Sequence, residues 1–222
     1  MKVLYEDNHV IIVSKSAGEI VQGDKTGDTP LSETVKLYIK EKYAKPGVVF
    51  LGVVHRLDRP VSGVVAFART SKALARMNEM FRTGAVQKTY WALVQNEPKV
   101  SEATLTHYLV RNEKQNKSYA YDHERPNAKK AVLDYRVIGR TDRYHLLEVH
   151  LHTGRHHQIR CQLAAIGCPI RGDLKYGAPR SNPDGSISLH ARSICFEHPV
   201  SHQEVFVEAQ PPEEGPWKAF IK

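Results

Sequence analysis

Three short segments bring together residue types that could carry out chemistry on a polyanion. The first is His55, Arg56, Leu57, Asp58, Arg59, Pro60, Val61, Ser62, Gly63. An aspartate here sits among cations just before an apolar run, and Pro60, which cannot donate to a sheet ladder, marks a strand entrance where a side chain can face a cleft. At neutral pH such a carboxylate is ionised and can act as a nucleophile or stabilise developing positive charge. The plainer alternative is a turn in which Asp58 accepts backbone hydrogen bonds while Arg56 and Arg59 form surface pairs. The second segment, Leu151 to Arg160, runs from a strand through a Thr-Gly turn into a helix and contains Arg155, His156, His157 and Arg160. On that helix Arg160 has the small Ala164 one turn later; it is either an exposed cation or a buried one that needs a carboxylate. The third is Lys88 to Val94, whose alternation puts Lys88, Tyr90 and Ala92 on one face. A strand tyrosine is ordinarily a core residue with a satisfied hydroxyl, but a phenol can also handle a proton and offer a flat surface to a base.

These segments need elements to position them. Apolar alternation predicts a hairpin of Val3–Tyr5 and Val10–Val13 around Glu6, Asp7 and Asn8. Thr29 is expected to cap a helix with Pro30 in its first position, Leu31, Val35 and Tyr38 on one face and an end near Tyr43. A strand is expected over Val61–Phe67. Ser71 is then expected to cap a helix that buries Leu74, Met77 and Phe81 and leaves Lys72 and Arg76 outside. Further strands are predicted at Lys88–Val94, Leu105–Val110, Ala131–Ile138, Tyr144–His152, Ile187–Phe196 and Glu204–Glu208. A helix over His156–Ile166 should stop at Gly167, and a short terminal helix should contain Trp217 and Phe220. The expectation is one α+β domain over residues 1–222, with a central, mostly antiparallel sheet flanked by helices.

Charge suggests a partner. The net charge is +8, but His55–Lys88 alone carries +5 and His150–Arg180 carries +4, which leaves −1 for the remainder. Concentration of positive charge in the two windows that also hold the unusual segments points to RNA or DNA. The 222 residues contain neither a leader-like start nor an apolar run approaching the roughly 20 residues that cross a bilayer. Cys161, Cys168 and Cys195 lack Cys-x-x-Cys spacing and fit reduced thiols in a cytoplasm.

In order and separation, the three segments resemble the motifs of the RluA-type RNA pseudouridine synthases. HRLDRPVSG and TGRHHQIRCQLAAIGCPIRGDLKYG carry the resemblance, which extends from about Leu4 to about Ala209. It implies isomerisation of uridine to pseudouridine in ribosomal or transfer RNA, with an everted base and an aspartate nucleophile. By motif position the resemblance implies Asp58 as the catalytic aspartate, Tyr90 as the active-site tyrosine and Arg160 as the basic residue that pairs with that aspartate. Arg56 is implied to reach into the RNA beside the flipped nucleotide, and His55, Arg59, Lys88, Arg155 and His156 join it as RNA-binding residues. Two departures stand out: the small N-terminal RNA-binding module found in many members is not expected within these residues, and Val61 and His157 vary within the motifs.

The implied reaction neither gains nor loses electrons or groups, so neither a cofactor nor a metal is expected, and the sequence has neither a dinucleotide fingerprint nor a P-loop. A monomer acting on RNA, without a membrane partner, is the expected working state. Three rival readings weigh against this one. Metal-dependent hydrolysis is suggested by twelve histidines, notably His150 with His152 and His156 with His157, though they lack a matching acidic set in the sequence. Nucleobase release would use the same aspartate but ordinarily needs a second carboxylate. RNA binding without turnover has no use for Asp58.

Overall fold

The computed structural model describes residues 1–221. In chain order the elements of the first part are β1 (Lys2–Glu6), β2 (Val10–Lys15), α1 (Leu31–Lys42), β3 (Gly52–Val53), β4 (Ser62–Ala68) and α2 (Ser71–Thr83). Then come β5 (Gln87–Val94), β6 (Glu102–Asn112), β7 (Lys117–Tyr121), β8 (Lys129–Arg140), β9 (His145–Leu151) and α3 (Gln158–Ala165). A 3₁₀ turn at Leu174–Tyr176 precedes β10 (Leu189–Glu197) and β11 (Glu204–Glu208), and a second one at Gly215–Ala219 closes the sequence of elements. The fold class is α+β with a mostly antiparallel sheet, as the alternation predicts. Two compact units divide the chain: one holds Met1–Val86 and Ala191–Gln210, the other Gln87–His190 and the tail from Pro211.

In the first unit β2 pairs with both β1 and β4, and β10 pairs with β11, all antiparallel. The turn between β1 and β2 forms where expected because the Asp7 carboxylate accepts from the backbone N–H groups of His9 and Val10, each at 2.7 Å. Val10 to Val13 and Val64 to Ala68 are buried on both faces, which explains their unbroken apolar sequence. One face packs Val10, Ile12, Val64 and Ala66 with Ala73 and Met77 of α2 and Phe196 of β10.

Both helix starts in this unit differ by one residue from the sequence reading. Pro30, not Thr29, is the N-cap of α1, because the N–H groups of Leu31 and Ser32 already donate to Ile20 O and Val21 O at 2.7 and 3.2 Å. With those donors satisfied by the preceding loop, a capping side chain has little left to do. The buried stripe is Leu31, Val35 and Ile39, with Tyr38 half-buried and its hydroxyl donating to Glu6. In α2 it is Thr70 whose hydroxyl accepts from Ala73 N at 3.2 Å, so Ser71 is the first helical residue. Lys72 and Arg76 lie on its exposed side, as expected.

The second unit is an antiparallel sheet in which β9 lies between β5 and β8, and β6 between β8 and β7. Helix α3 covers one face, where Cys161 packs with Leu109, Ala131 and Tyr176. It begins two residues later than expected because His157 adopts a left-handed conformation at φ 52°, so His156 and His157 stand before the helix. Gly167, at φ 80°, provides the expected exit. The terminal element is a 3₁₀ turn rather than an α-helix; Trp217 is buried with Leu93 and Leu146, and Phe220 lies just past the turn.

One position fixes how β4 can be built. Gly63 has φ 118°, and a Cβ placed there would lie 2.2 Å from Ala191 O and 2.6 Å from Ala191 N. The absent side chain at this position lets another backbone approach closely. Gly63→Ala should lower stability by roughly 3 kcal/mol or more, read from a denaturant titration, because neither the φ angle nor the neighbouring backbone can relax cheaply. A variant that unfolds at the wild-type midpoint would overturn this account.

Candidate functional site

In the first unit the segment carrying Asp58 is held by a buried lysine. Strand alternation puts Lys15 on the same face as Ile11 and Val13, and it is 1% exposed. Its ammonium donates to four carbonyls: Ser16 O at 3.0 Å, Asp58 O at 3.3 Å, Arg59 O at 3.1 Å and Val61 O at 2.6 Å. Asp58 O also accepts from Val61 N at 3.0 Å, closing a turn over Arg59 and Pro60, while Arg59 O accepts from Gly18 N at 2.8 Å. The backbone from Asp58 to Val61 is thus held by a charge that the sequence reading overlooked. Its signal was the parity of Lys15 with Ile11 and Val13, in a strand that is otherwise apolar but for Ser14.

The side chains of this segment divide by exposure. Leu57 is buried, Asp58 half-buried and Arg56 exposed, so the aspartate and its preceding arginine are accessible while the leucine between them anchors the turn. Arg59 is engaged by acids: its guanidinium is 2.7 Å from Asp28 and 3.7 Å from Asp24, and it donates to Thr26 Oγ1 at 2.8 Å. His55 Nε2 accepts from Ala66 N at 2.9 Å, and its ring stacks on Phe81 at 4.8 Å. An imidazole used in this way braces β4.

The second unit holds the other two motif segments. Tyr90 is 8% exposed on β5, opposite Val149. Lys88, two residues earlier on the same face, is half-buried, and burial pushes its ammonium below the usual lysine range. Its Nζ lies 3.8 Å from where a Cβ on Gly154 would stand, beside the Thr-Gly turn. That turn is stitched by one side chain: Gln158 Oε1 accepts from Thr153 Oγ1 at 2.8 Å and Arg155 N at 2.9 Å, and its Nε2 donates to Val132 O at 3.0 Å. Arg155 is exposed, with its Nε donating to Lys130 O at 2.9 Å. His156 is engaged through both ring nitrogens, Nδ1 with Ser118 Oγ at 2.9 Å and Nε2 with Asn116 Oδ1 at 3.0 Å. It stacks on His157, whose Nδ1 is 3.0 Å from the Tyr176 hydroxyl.

Arg160 is 5% exposed, which removes the exposed-cation alternative. The carboxylate it needs comes from Asp173, 1% exposed: Nε donates to Oδ2 at 2.6 Å and Nη2 to Oδ1 at 2.9 Å. The Tyr176 ring lies 5.2 Å from the guanidinium carbon, and burial pushes its phenol well above the usual tyrosine range. The forked contact fixes the plane and direction of the guanidinium. Asp173 was visible in the sequence only as the single acid of a basic window.

The histidines behind the metal reading are engaged otherwise. His152 Nε2 is 2.6 Å from Asp134 Oδ2, and His150 is 3.3 Å from both Glu148 Oε1 and Thr89 Oγ1. Asp134 comes from the neighbouring strand β8, whereas Glu148 stands two residues before His150 on β9 itself. Among the described residues, however, no group of three or more His, Cys, Asp or Glu side chains is placed to hold a metal ion.

The family model for RNA pseudouridylate synthase matches residues 9–165, a span that includes Asp58, Tyr90 and Arg160. Ribosomal large subunit pseudouridine synthase D of Xanthomonas campestris pv. campestris is 33% identical over 228 residues, covering 96% of this chain and 67% of that protein. The tRNA pseudouridine synthase C of Pectobacterium carotovorum subsp. carotovorum is 29% identical, covering 100% of this chain and 61% of that protein. The chain thus spans about two thirds of the length of these relatives. Among solved structures, human RNA pseudouridylate synthase domain containing 4 superposes with a TM-score of 0.79 at 25% identity, over 95% of this chain and 88% of that one.

Two outcomes follow from the buried charges. Asp173→Ala should cost about 3–5 kcal/mol, measured by denaturant unfolding, because it leaves Arg160 buried without this carboxylate; a loss below about 1 kcal/mol would show the pair to be dispensable. For Lys15, burial lowers the ammonium to about 8, opposed by the negative charges of Glu19 and Asp58. Its unfolded value is about 10.4, so between the two the unfolded chain binds a proton that the folded one has lost, and stability rises with pH. Compared with Lys15→Met, the wild-type protein should gain on the order of 3 kcal/mol across that window. Parallel pH profiles for the two proteins would refute this.

Proposed function

Because the chain belongs to the RNA pseudouridine synthase family, we propose that it isomerises uridine to pseudouridine in ribosomal or transfer RNA, with Asp58 as the nucleophile toward an everted nucleotide. The observation that carries this reading is the match of the family model across all three chemistry-bearing segments, residues 9–165. Two relatives named for ribosomal large-subunit RNA and for tRNA support the two substrate classes.

The reaction breaks the bond between ribose C1′ and ring N1, turns the uracil and joins C1′ to C5; the hydrogen on C5 leaves as a proton and N1 gains one. Atoms and electrons balance within the substrate and solvent. Asp58 supplies the carboxylate, on a backbone held by Lys15. Tyr90 offers its ring to the extruded base and its hydroxyl to a proton transfer. Arg160 has the role the motif implies, a cation that favours the ionised aspartate, and its own direction is fixed by Asp173. Eversion is required because a base stacked in a stem is out of a carboxylate's reach; it costs a few kcal/mol, which Arg56 would help to offset by entering beside the vacated position. The exposed Arg56 and Arg155, with Lys88, His55, His156 and Arg59, complete the proposed RNA contacts. His55, His156 and Arg59 contribute chiefly by shaping the segments on which they stand. A cytoplasmic setting belongs to the same proposal, supported by three cysteines that are free thiols.

The test uses RNA tritiated at C5 of uridine. Wild-type protein should release tritium to water from ribosomal or transfer RNA. Asp58→Asn, checked for folding by circular dichroism, should slow release by about a thousand-fold or more, equivalent to about 4 kcal/mol of barrier. Release at the wild-type rate in that variant would remove Asp58 from its role, and tritium recovered in free uracil would mark nucleobase release instead.

A further inference from the structure

We propose that the outer face of the β6–β7 hairpin, continued onto the start of β8, is a platform on which single-stranded RNA flanking the target uridine stacks. This deepens the function above and rests on RNA being the substrate. The register places Tyr108 opposite Tyr121 and Val110 opposite Tyr119, with Lys130 on the other side of Tyr108. Alternation therefore puts Tyr108, Tyr119, Tyr121, Lys117 and Lys130 on one face. Leu109 and Ala120 point to the other face, where they pack with Cys161 and Ala164 of α3.

The inner face thus holds the hairpin in place and leaves the outer face available. Asn116 and Ser118 bond to His156, and the Lys175 ammonium donates to Asn116 O at 3.0 Å, so the hairpin tip is also anchored. Stability does not demand three tyrosines on the outer side. Tyr119 is 38% exposed, and Tyr108 and Tyr121 are half-buried.

Cations accompany the rings. The Arg125 guanidinium carbon is 4.1 Å from the centre of the Tyr121 ring, and Lys117 Nζ, at the hairpin's edge, is 5.4 Å from that of Tyr119 and 5.3 Å from that of Tyr176 on the α3 side. From Tyr108 to Lys130 the chain carries six Lys or Arg against three acids. Flat rings interleaved with cations suit a strand whose bases are free to stack and whose phosphates need neutralising; a duplex, whose bases are already stacked, offers less to such a surface. The strip also continues into the motif loop, since Arg155 Nε donates to Lys130 O. It therefore extends the proposed contacts to a part of the chain that neither basic window contained.

The experiment compares wild type with Tyr119→Ala, Tyr119→Phe and Arg125→Gln. Affinity is measured for a single-stranded RNA of about a dozen nucleotides and for a duplex of the same sequence at fixed salt. Tyr119→Ala should weaken single-strand binding about 5- to 100-fold and leave duplex binding near wild type, and Tyr119→Phe, which keeps the ring, should bind as wild type does. Arg125→Gln should reduce the slope of log affinity against log salt by about 0.7. In the tritium assay, with a stem-loop substrate carrying unpaired flanks, Tyr119→Ala should raise KM and leave kcat unchanged. Unchanged single-strand affinity, or equal losses on both RNAs, would overturn the platform. If wild type releases no tritium yet binds single strands in a Tyr119-dependent way, the platform stands and the isomerase reading falls. If it releases tritium with the same KM in Tyr119→Ala, the reverse holds.

Discussion

The chemistry-bearing turn of the first unit depends on a charge that never reaches solvent. Lys15 gives up most of its hydration to bond four carbonyls, three of them within Asp58–Val61. Such burial is unfavourable in isolation, as the lowered pKa records. Its return is geometric, because the turn can no longer sample the arrangements open to a segment rich in ionisable residues. Gly63, paired with Lys15 in the ladder, completes the constraint by letting Ala191 approach at backbone distance. The second unit applies the same device with a different partner. Arg160 is buried against the Asp173 carboxylate rather than against backbone dipoles, and its forked geometry makes direction as well as position determinate. Each unit therefore secures its part of the motif set through one buried cation.

Much of this arrangement could be read from the sequence, for identifiable reasons. The strands of the first unit were legible because Val10–Val13 and Val64–Phe67 are apolar runs bounded by turn residues, and the Asp7 turn has its own local chemistry. The motif segments were legible because their residue types are unusual together. What escaped was long-range satisfaction. Thr29 looked like a cap, but carbonyls from Ile20 and Val21 had already taken the donors it would have served. Lys15 lay beyond the strand expected over Val10–Val13, Asp173 stood only as the lone acid of a basic window, and Lys117–Tyr121 fell between expected strands, since only pairing with β6 makes it a strand. His157 concealed the start of α3 because a left-handed histidine leaves no mark in helical periodicity.

The histidines show the same distinction between composition and use. Twelve of them invited a metal reading, but the described contacts engage several of them as hydrogen-bonding joints. His55 receives an amide of β4, His156 spans Ser118 and Asn116, and His107 Nδ1 meets Gln162 Nε2 at 3.0 Å. Near His198, Nδ1 is 2.9 Å from Ser201 N and Nε2 is 2.8 Å from Asp7, so one ring ties the loop after β10 to the first turn of the chain. An imidazole suits these positions because it can accept from a backbone amide on one side and meet a hydroxyl or carboxylate on the other, which a lysine or arginine cannot do.

This use of histidine bears on how an RNA enzyme can be basic without being loosely built. Under the proposed function, positive charge for phosphate falls on exposed Arg56, Arg155 and the hairpin cations, where salt and solvent screen their mutual repulsion. Beneath them, polar joints that must be packed close together are made by rings that need not be charged: the stacked pair His156 and His157, 3.8 Å apart, would repel if both were protonated. Substituting arginines there would add charge where dielectric screening is weakest and remove acceptors that Ser118 and the Tyr176 hydroxyl can use. The division between exposed permanent cations and packed imidazoles that bond without needing charge therefore follows from electrostatics, and it leaves the motif loop well anchored.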